Sequence, residues 1–239
     1  MPENYQHLHF EVVGSTNDLC RIECKKELKP TLITADKQTE GRGRNQKRWE
    51  SPKGNISFSY GFFCGKPHPA LSLLAGLKTT IAIEKIFGKY VKLKWPNDLI
   101  YESKKIGGIL VETENFEDKF LVVLGIGINL KVNPNEPHWG DLDENLNDEE
   151  KKLAFVKELA WEVSKLENYS DENWQSDWLA NCVHMNSKIK IASSNEELFF
   201  QGIDHAGAAL LKNTNGEIIT YQESSCLLYT SDAADEVRS

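Results

Sequence analysis

Residues 91–112, VKLKWPNDLIYESKKIGGILVE, restrict the fold more than any other stretch of this chain. Residues 91–95 alternate as a strand does, and Pro96 ends the run because proline has no N–H to give to a sheet ladder. Pro96-Asn97-Asp98 reads as a turn. Residues 99–101 form a second short strand, 102–104 a hairpin tip, and 105–112 the returning strand. Gly107 and Gly108 stand inside that last strand. Paired glycines weaken a strand and mark a place where a ligand or another backbone comes close. Residues 120–130, FLVVLGIGINL, are a buried apolar strand that also turns glycine-rich, with GIGIN at 125–129. No helix follows in the manner of a dinucleotide fold, so this glycine pattern is not a dinucleotide fingerprint.

The remaining elements follow from periodicity. Residues 7–13 and 55–63 alternate as strands, and 32–35 form a short apolar one. Ser15 or Thr16 caps a helix running to about residue 26, with Asp18 favourable in its first turn. An amphipathic helix spans 69–87, with Leu73, Leu77, Ile81 and Ala82 inward and Gly88 as its stop. A helix over 151–166 turns Leu153, Val156, Leu159, Ala160 and Val163 inward. A shorter one over 172–182 carries Trp174 and Trp178 into the core. Residues 133–150 read as a solvated acidic loop. From residue 187 short strands follow, over 188–192, 197–203, 208–211 and 217–221, with a hairpin signal at Asn215-Gly216. So small a β unit needs a partner to dock on.

Residues 41–52, GRGRNQKRWESP, place Arg42, Arg44, Lys47 and Arg48 within seven positions, in a chain of formal net charge -8. Arginine offers a planar fork that matches carboxylate and phosphate oxygens, and Trp49 a flat face for a ring. The stretch reads as a mobile loop that closes over an anion carrying an aromatic base. Because the rest of the chain is acidic, the basic run is a local site and not part of a nucleic-acid or membrane-binding surface. No apolar run approaches a membrane span, and the first residues lack the pattern of a secretory leader. Five scattered cysteines fit reduced thiols in a cytoplasm. Cys20 and Cys24, four apart on one helix, read as a buried pair, since no further ligand stands at a zinc-like spacing.

Four blocks coincide: STN at 15–17, GRGR…W.SP.GN at 41–55, KWPND…K.GGILVE at 94–112 and GIGIN at 125–129. Together they resemble the catalytic core of biotin protein ligases, over residues 10 to about 221. The resemblance implies an α+β fold, with a mixed central β-sheet flanked by helices as in class II aminoacyl-tRNA synthetases, and a small C-terminal SH3-like β-barrel. It divides the chain into a catalytic domain over 1–185 and a small barrel over 186–222. The end, 223–239, breaks the alternation and resembles the translation of a sequencing adapter, so it is expected to be foreign and the barrel truncated.

The resemblance also implies roles. Ser15, Thr16, Asn17 and Gln38 match contacts to the biotin head, and Gly41, Arg42, Gly43 and Arg44 the loop over biotin and its adenylate. Gly108 and Gly125 match positions where backbone approaches the biotin chain. Trp49, Asn97 and Asn129 fall where the family binds the adenine nucleotide. Lys105, with Arg42 and Arg44, matches the charge that meets the biotin carboxyl and the phosphate. Asp98 falls in the nucleotide and metal region, as base or Mg²⁺ ligand. ATP and Mg²⁺, biotin as substrate and a biotin carrier domain as partner follow, in a cytoplasmic monomer or homodimer without DNA binding. The family loop usually reads GRGRxGRxW, whereas Gln46 here replaces the third glycine and Lys47 the next arginine. A lipoate or octanoate ligase of the same fold, or a non-catalytic binding module, is the alternative.

Overall fold

Seven strands make one sheet and five more make a second. We describe the fold from a computed structural model, over residues 5–50, 52–132, 139–171, 173–191, 194–222 and 228–230. The elements in chain order are β1 (Gln6–Val13), α1 (Thr16–Glu27), β2 (Thr31–Gln38), β3 (Ile56–Cys64), α2 (Leu71–Phe87), β4 (Lys92–Lys94), β5 (Asp98–Tyr101), β6 (Lys104–Phe116) and β7 (Lys119–Ile128). Then come α3 (Glu149–Ser164), α4 (Trp174–Ala180), β8 (Lys188–Ile191), β9 (Ser194–Ile203), β10 (Ala209–Asn213), β11 (Ile218–Tyr221) and β12 (Leu228–Thr230).

The large sheet runs β1-β2-β3-β7-β6-β5-β4. β1 and β2 are parallel, joined by α1, while the other neighbours are antiparallel, so the sheet is mixed. Its two faces differ. Phe58, Tyr60 and Phe62 of β3 lie opposite Ile126, Leu124 and Val122 of β7. They join α2 and α3 in one large apolar core. Each Leu, Ile or Phe fully buried there contributes about 1.5–3 kcal/mol. The alternate residues of the same strands point to the other face. There α1 packs down with Cys20 and Cys24, both fully buried, against Ile33, Leu121 and Val123. The helix comes so close because Gly61 leaves room: a Cβ at that position would lie 2.5 Å from the Cys24 sulfur.

The small sheet runs β11-β10-β9-β8-β12. Its strand β12 falls in the stretch 223–239 and pairs antiparallel with β8. The sheet has no core of its own: Ile189, Phe200 and Leu211 join the same cluster as Trp174, Trp178 and α2. The indole N–H of Trp95 donates to the Gly207 carbonyl at 2.9 Å, tying β10's entry loop to the end of β4.

Three expectations change. Ile81 and Leu153 lie at the margins of their helical stripes and stay 38% and 47% exposed, and Phe155 takes the inward place on α3. The loop over 139–148 is not simply solvated, since Leu142 is fully buried and its N–H donates to the Asn129 carbonyl. Residues 133–138 lie outside the described residues.

Candidate active site

The second face of the large sheet is stripped of side chains where β3, β7 and β6 meet. Ser57 lies opposite Gly127 and Ser59 opposite Gly125 on the β3 side. Gly108 and Leu110 stand opposite the same two glycines on the β6 side. Directly opposed residues of an antiparallel ladder share a face, so serines and glycines, with Leu110 beside Gly125, pave a shallow trough. The glycines matter because neighbouring side chains use their space. A Cβ on Gly125 would stand 2.3 Å from Asn17 Oδ1, and one on Gly127 would stand 2.6 Å from the Trp49 ring.

At one end of the trough α1 begins. Ser15 caps the helix, accepting from the Asp18 N–H at 3.5 Å. Gln38 at the end of β2 accepts from the Thr16 N–H and hydroxyl at 2.9 and 3.0 Å. Ser59 Oγ, fully buried, lies 2.7 Å from Thr16 Oγ1 and 2.6 Å from Asn17 Oδ1, within reach to donate its one proton to either. The structure thus brings Ser15, Thr16, Asn17 and Gln38 together at one polar end.

Arg42 closes that end. Its terminal nitrogens donate to both oxygens of Asp18 at 2.5 and 2.6 Å, and Nη2 also reaches Glu112 at 3.1 and 3.3 Å. Arg21 of α1 bridges the same two carboxylates at 2.7 and 3.0 Å, and Asn17 donates to Glu112 at 2.8 Å. The Arg42 hydrogen bonds hold the Asp18 carboxyl below its ordinary range, and the same contacts raise Arg42 further above its own.

At the other end Lys105, on β6, meets Asp98, on β5, with 2.6 Å between Nζ and Oδ1. Lys105 is 43% exposed, and its ammonium stands 5.8 Å from the centre of the Trp49 ring. That distance is within cation–π range. Trp49 itself lies against the Gly127 and Gly108 backbone. A cation, a carboxylate and a flat ring therefore share one end of the trough.

The basic run between these ends is not an open connection. Trp49 N–H donates to the Gly41 carbonyl at 2.9 Å, and Gly43 N–H to the Lys47 carbonyl at 2.7 Å, forming a small hairpin. Gly41 is required there, since a Cβ would stand 2.6 Å from the Trp49 carbonyl oxygen. Arg44 opens the turn at its tip, where Asn45 and Gln46 hold φ of 53° and 57°. Gln46, standing where the family loop has glycine, occupies the left-handed region that glycine tolerates without strain.

Asn97 and Asn129 sit beside the site in framework roles. Asn97 Nδ2 donates to the Ile109 carbonyl at 2.8 Å, and buried Asn129 donates to the Gly140 carbonyl at 3.1 Å. Sequence reasoning missed Ser57, Ser59, Gly127, Arg21 and Glu112, and it read Asp18 as a helix-start residue alone. The small residues left a signal, Ser57-x-Ser59-x-Gly61 on one face of an alternating strand. The ion network left none, because its members are far apart in the chain. Among the described residues, no group of three or more His, Cys, Asp or Glu is placed to hold a metal ion, and no helix is long and apolar enough to cross a membrane.

A trough on a mixed sheet, with a polar helix start at one end and a lysine–aspartate pair at the other, is the candidate site. The model of the Biotin/lipoate A/B protein ligase family matches residues 9–129, and the chain belongs to that family. It is 38% identical over 138 residues to the bifunctional ligase/repressor BirA of Bacillus subtilis, covering 55% of this chain and 42% of that protein. It is 30% identical over 216 residues to the BirA of Escherichia coli, covering 84% of this chain and 67% of that one. The chain thus spans less than half the length of the first relative. In structure it matches the biotin protein ligase of Aquifex aeolicus, solved in complex with biotin and ATP, with a TM-score of 0.74 and 24% identity, over 95% of this chain and 99% of that one.

Proposed function

We propose that this chain is an ATP-dependent biotin–protein ligase, which activates biotin as biotinyl-5'-AMP and passes it to a lysine of a biotin carrier domain. The observation that carries the reading is the placement of Lys105, Asp98 and Trp49 around the glycine floor, opposite the polar group of Thr16, Asn17 and Gln38. Amides and hydroxyls suit a ureido head, which both donates and accepts, better than the dithiolane of lipoate, which does neither.

In the first step a carboxylate oxygen of biotin attacks the α-phosphorus of ATP, the bond to the β-phosphate oxygen breaks, and pyrophosphate leaves. Two anions must meet. Unit charges ~4 Å apart repel by about 4 kcal/mol at an effective dielectric of ~20. Lys105 beside the trough offsets that repulsion and stabilises the charge that builds in the transition state. Arg44, at the hairpin tip, adds a fork suited to phosphate. Trp49 offers its face to the adenine.

In the second step the neutral ε-amine of the carrier lysine attacks the carbonyl carbon of the mixed anhydride, and AMP leaves with the C–O bonding pair. Asp98 has two alternative roles, and in one of them it accepts the proton that this amine sheds. Mg²⁺ arriving with ATP needs one or two protein carboxylates, since phosphates and water supply the rest. In the alternative role Asp98 would hold that ion, which when bound would supply Lewis-acid stabilisation of phosphate charge. A carrier domain of the acetyl-CoA carboxylase type is the acceptor proposed.

The test is transfer of labelled biotin to a purified carrier domain with ATP and Mg²⁺, with pyrophosphate release followed in the same reaction. Label on the carrier is the expected result. Label from lipoate or octanoate donors, with none from biotin, would overturn it.

A further inference from the structure

We infer that Asp18 and Glu112 are positioning residues for Arg42 with opposite effects: Glu112 holds the guanidinium at the edge of the trough, while Asp18 competes for it with the phosphate oxygens of the nucleotide. The inference rests on the reading of the chain as an ATP-using ligase and adds to it a partner exchange at the first arginine of the basic hairpin.

Arg42 spends its best geometry on Asp18. Both terminal nitrogens reach that carboxylate, at 2.5 and 2.6 Å, whereas only Nη2 reaches Glu112, at 3.1 and 3.3 Å. A phosphate presents paired oxygens to the same fork, so carboxylate and phosphate are alternatives for it. The two carboxylates differ in how firmly they are held. Glu112 is 25% exposed and has two further partners, Asn17 at 2.8 Å and Arg21 at 3.0 Å. Asp18 is 43% exposed and stands on the first turn of α1.

What makes exchange feasible is Arg21. Its Nη1 lies 2.7 Å from Asp18 Oδ1. If an anion takes the Arg42 fork, Asp18 keeps one arginine and Glu112 keeps another, so no charge is left stranded. With a single arginine between two carboxylates, the same exchange would leave an unpaired carboxylate. Arg21 also lies 3.5 Å from Glu114, which Lys25 meets at 2.9 Å, so three cations balance three carboxylates in a set that can admit a further anion at the loop side and keep Arg42 attached to the sheet through Glu112.

The opposite signs are the test. Binding of MgATP to the full chain, with biotin present and the nucleotide supplied as its α,β-methylene analogue so that no adenylate forms, is measured by titration calorimetry for the unaltered protein and for two variants. Asp18→Asn keeps the shape and removes the competing charge, so it should tighten MgATP by about two- to fivefold, the scale of a partly exposed ion pair. Glu112→Gln should weaken MgATP, because Arg42 loses its tether. A merely structural role would move both variants the same way. If Glu112→Gln fails to fold, the sign for Asp18→Asn, whose side chain is the more exposed, still decides. Equal or weaker binding by Asp18→Asn overturns the exchange while leaving the ligase reading intact. No MgATP binding by the unaltered protein overturns both.

Discussion

The two ends of the trough are built on different principles. At the α1 end, four ionised side chains satisfy one another: Arg42 and Arg21 divide Asp18 and Glu112 between them, with Asn17 and Ser15 adding hydrogen bonds. At the β5–β6 end a half-exposed lysine meets one carboxylate and faces an aromatic ring. The first end is a shared network, continued through Glu114 and Lys25, that ties α1, the basic hairpin and β6 together. The second keeps a compact cation beside the floor on which the reacting groups would lie. The same acidic and basic residue types are thus arranged differently along one trough, as a shared network at one end and as a single lysine–aspartate pair beside a ring at the other.

The comparison breaks most sharply at Lys105. Lys105→Ala should lower adenylate formation by roughly 10²–10³, the scale for a preorganised charge-stabilising donor, while urea unfolding stays near that of the unaltered protein. Adenylation near the original rate in a pyrophosphate-release assay would remove the reactive role from this end. Next in size, Gly127→Ala should destabilise by about 1–3 kcal/mol, the cost of forcing a methyl group into packed space, because the new Cβ meets the Trp49 ring. Urea denaturation measures it, and an unchanged midpoint would mean that the ring moves aside freely.

A smaller effect is expected at the hairpin tip. Gln46→Gly relieves a left-handed φ of 57° and should alter stability by about 1 kcal/mol or less, since relief of strain and added chain freedom oppose each other. A net stabilisation in urea melts would say that relief wins. The smallest effect concerns pH. Arg42 depresses the Asp18 pKa in the folded chain, so folding favours the ionised form. That contribution is full above the unfolded value, ~3.9, and fades as pH falls through the lower folded value. The stability difference between the unaltered protein and Asp18→Asn should therefore shrink as pH falls through that window. A gap that persists below it would assign Asp18 a role independent of its charge.

Much of this architecture was legible beforehand, and the reasons are local. Pro96 and the 102–104 tip bounded the strands now seen as β4, β5 and β6. Gly88 and Ser15 ended and began helices through their cap chemistry. Ile81 and Leu153 misled because helical periodicity gives a stripe and not its width: only the seating of α2 and α3 on the sheet decides which marginal positions stay wet. The loop at 139–148 misled because its acidic composition hid one buried leucine, which registers only through the partner it covers.

By itself, then, the sequence determined the order of elements, the glycine-marked strands and the residue types gathered at the site, since these depend on periods, caps and backbone preferences within a few residues. Tertiary structure alone decided which face of β3 and β7 is bare, that Trp49 lies on Gly127, and that Arg42 is held between Asp18 and Glu112. Asn17 and Glu112 meet across a separation of 95 residues. No local propensity encodes such a contact, and it exists only because the packing of α1 on the sheet brings two carboxylates and two arginines to the same point.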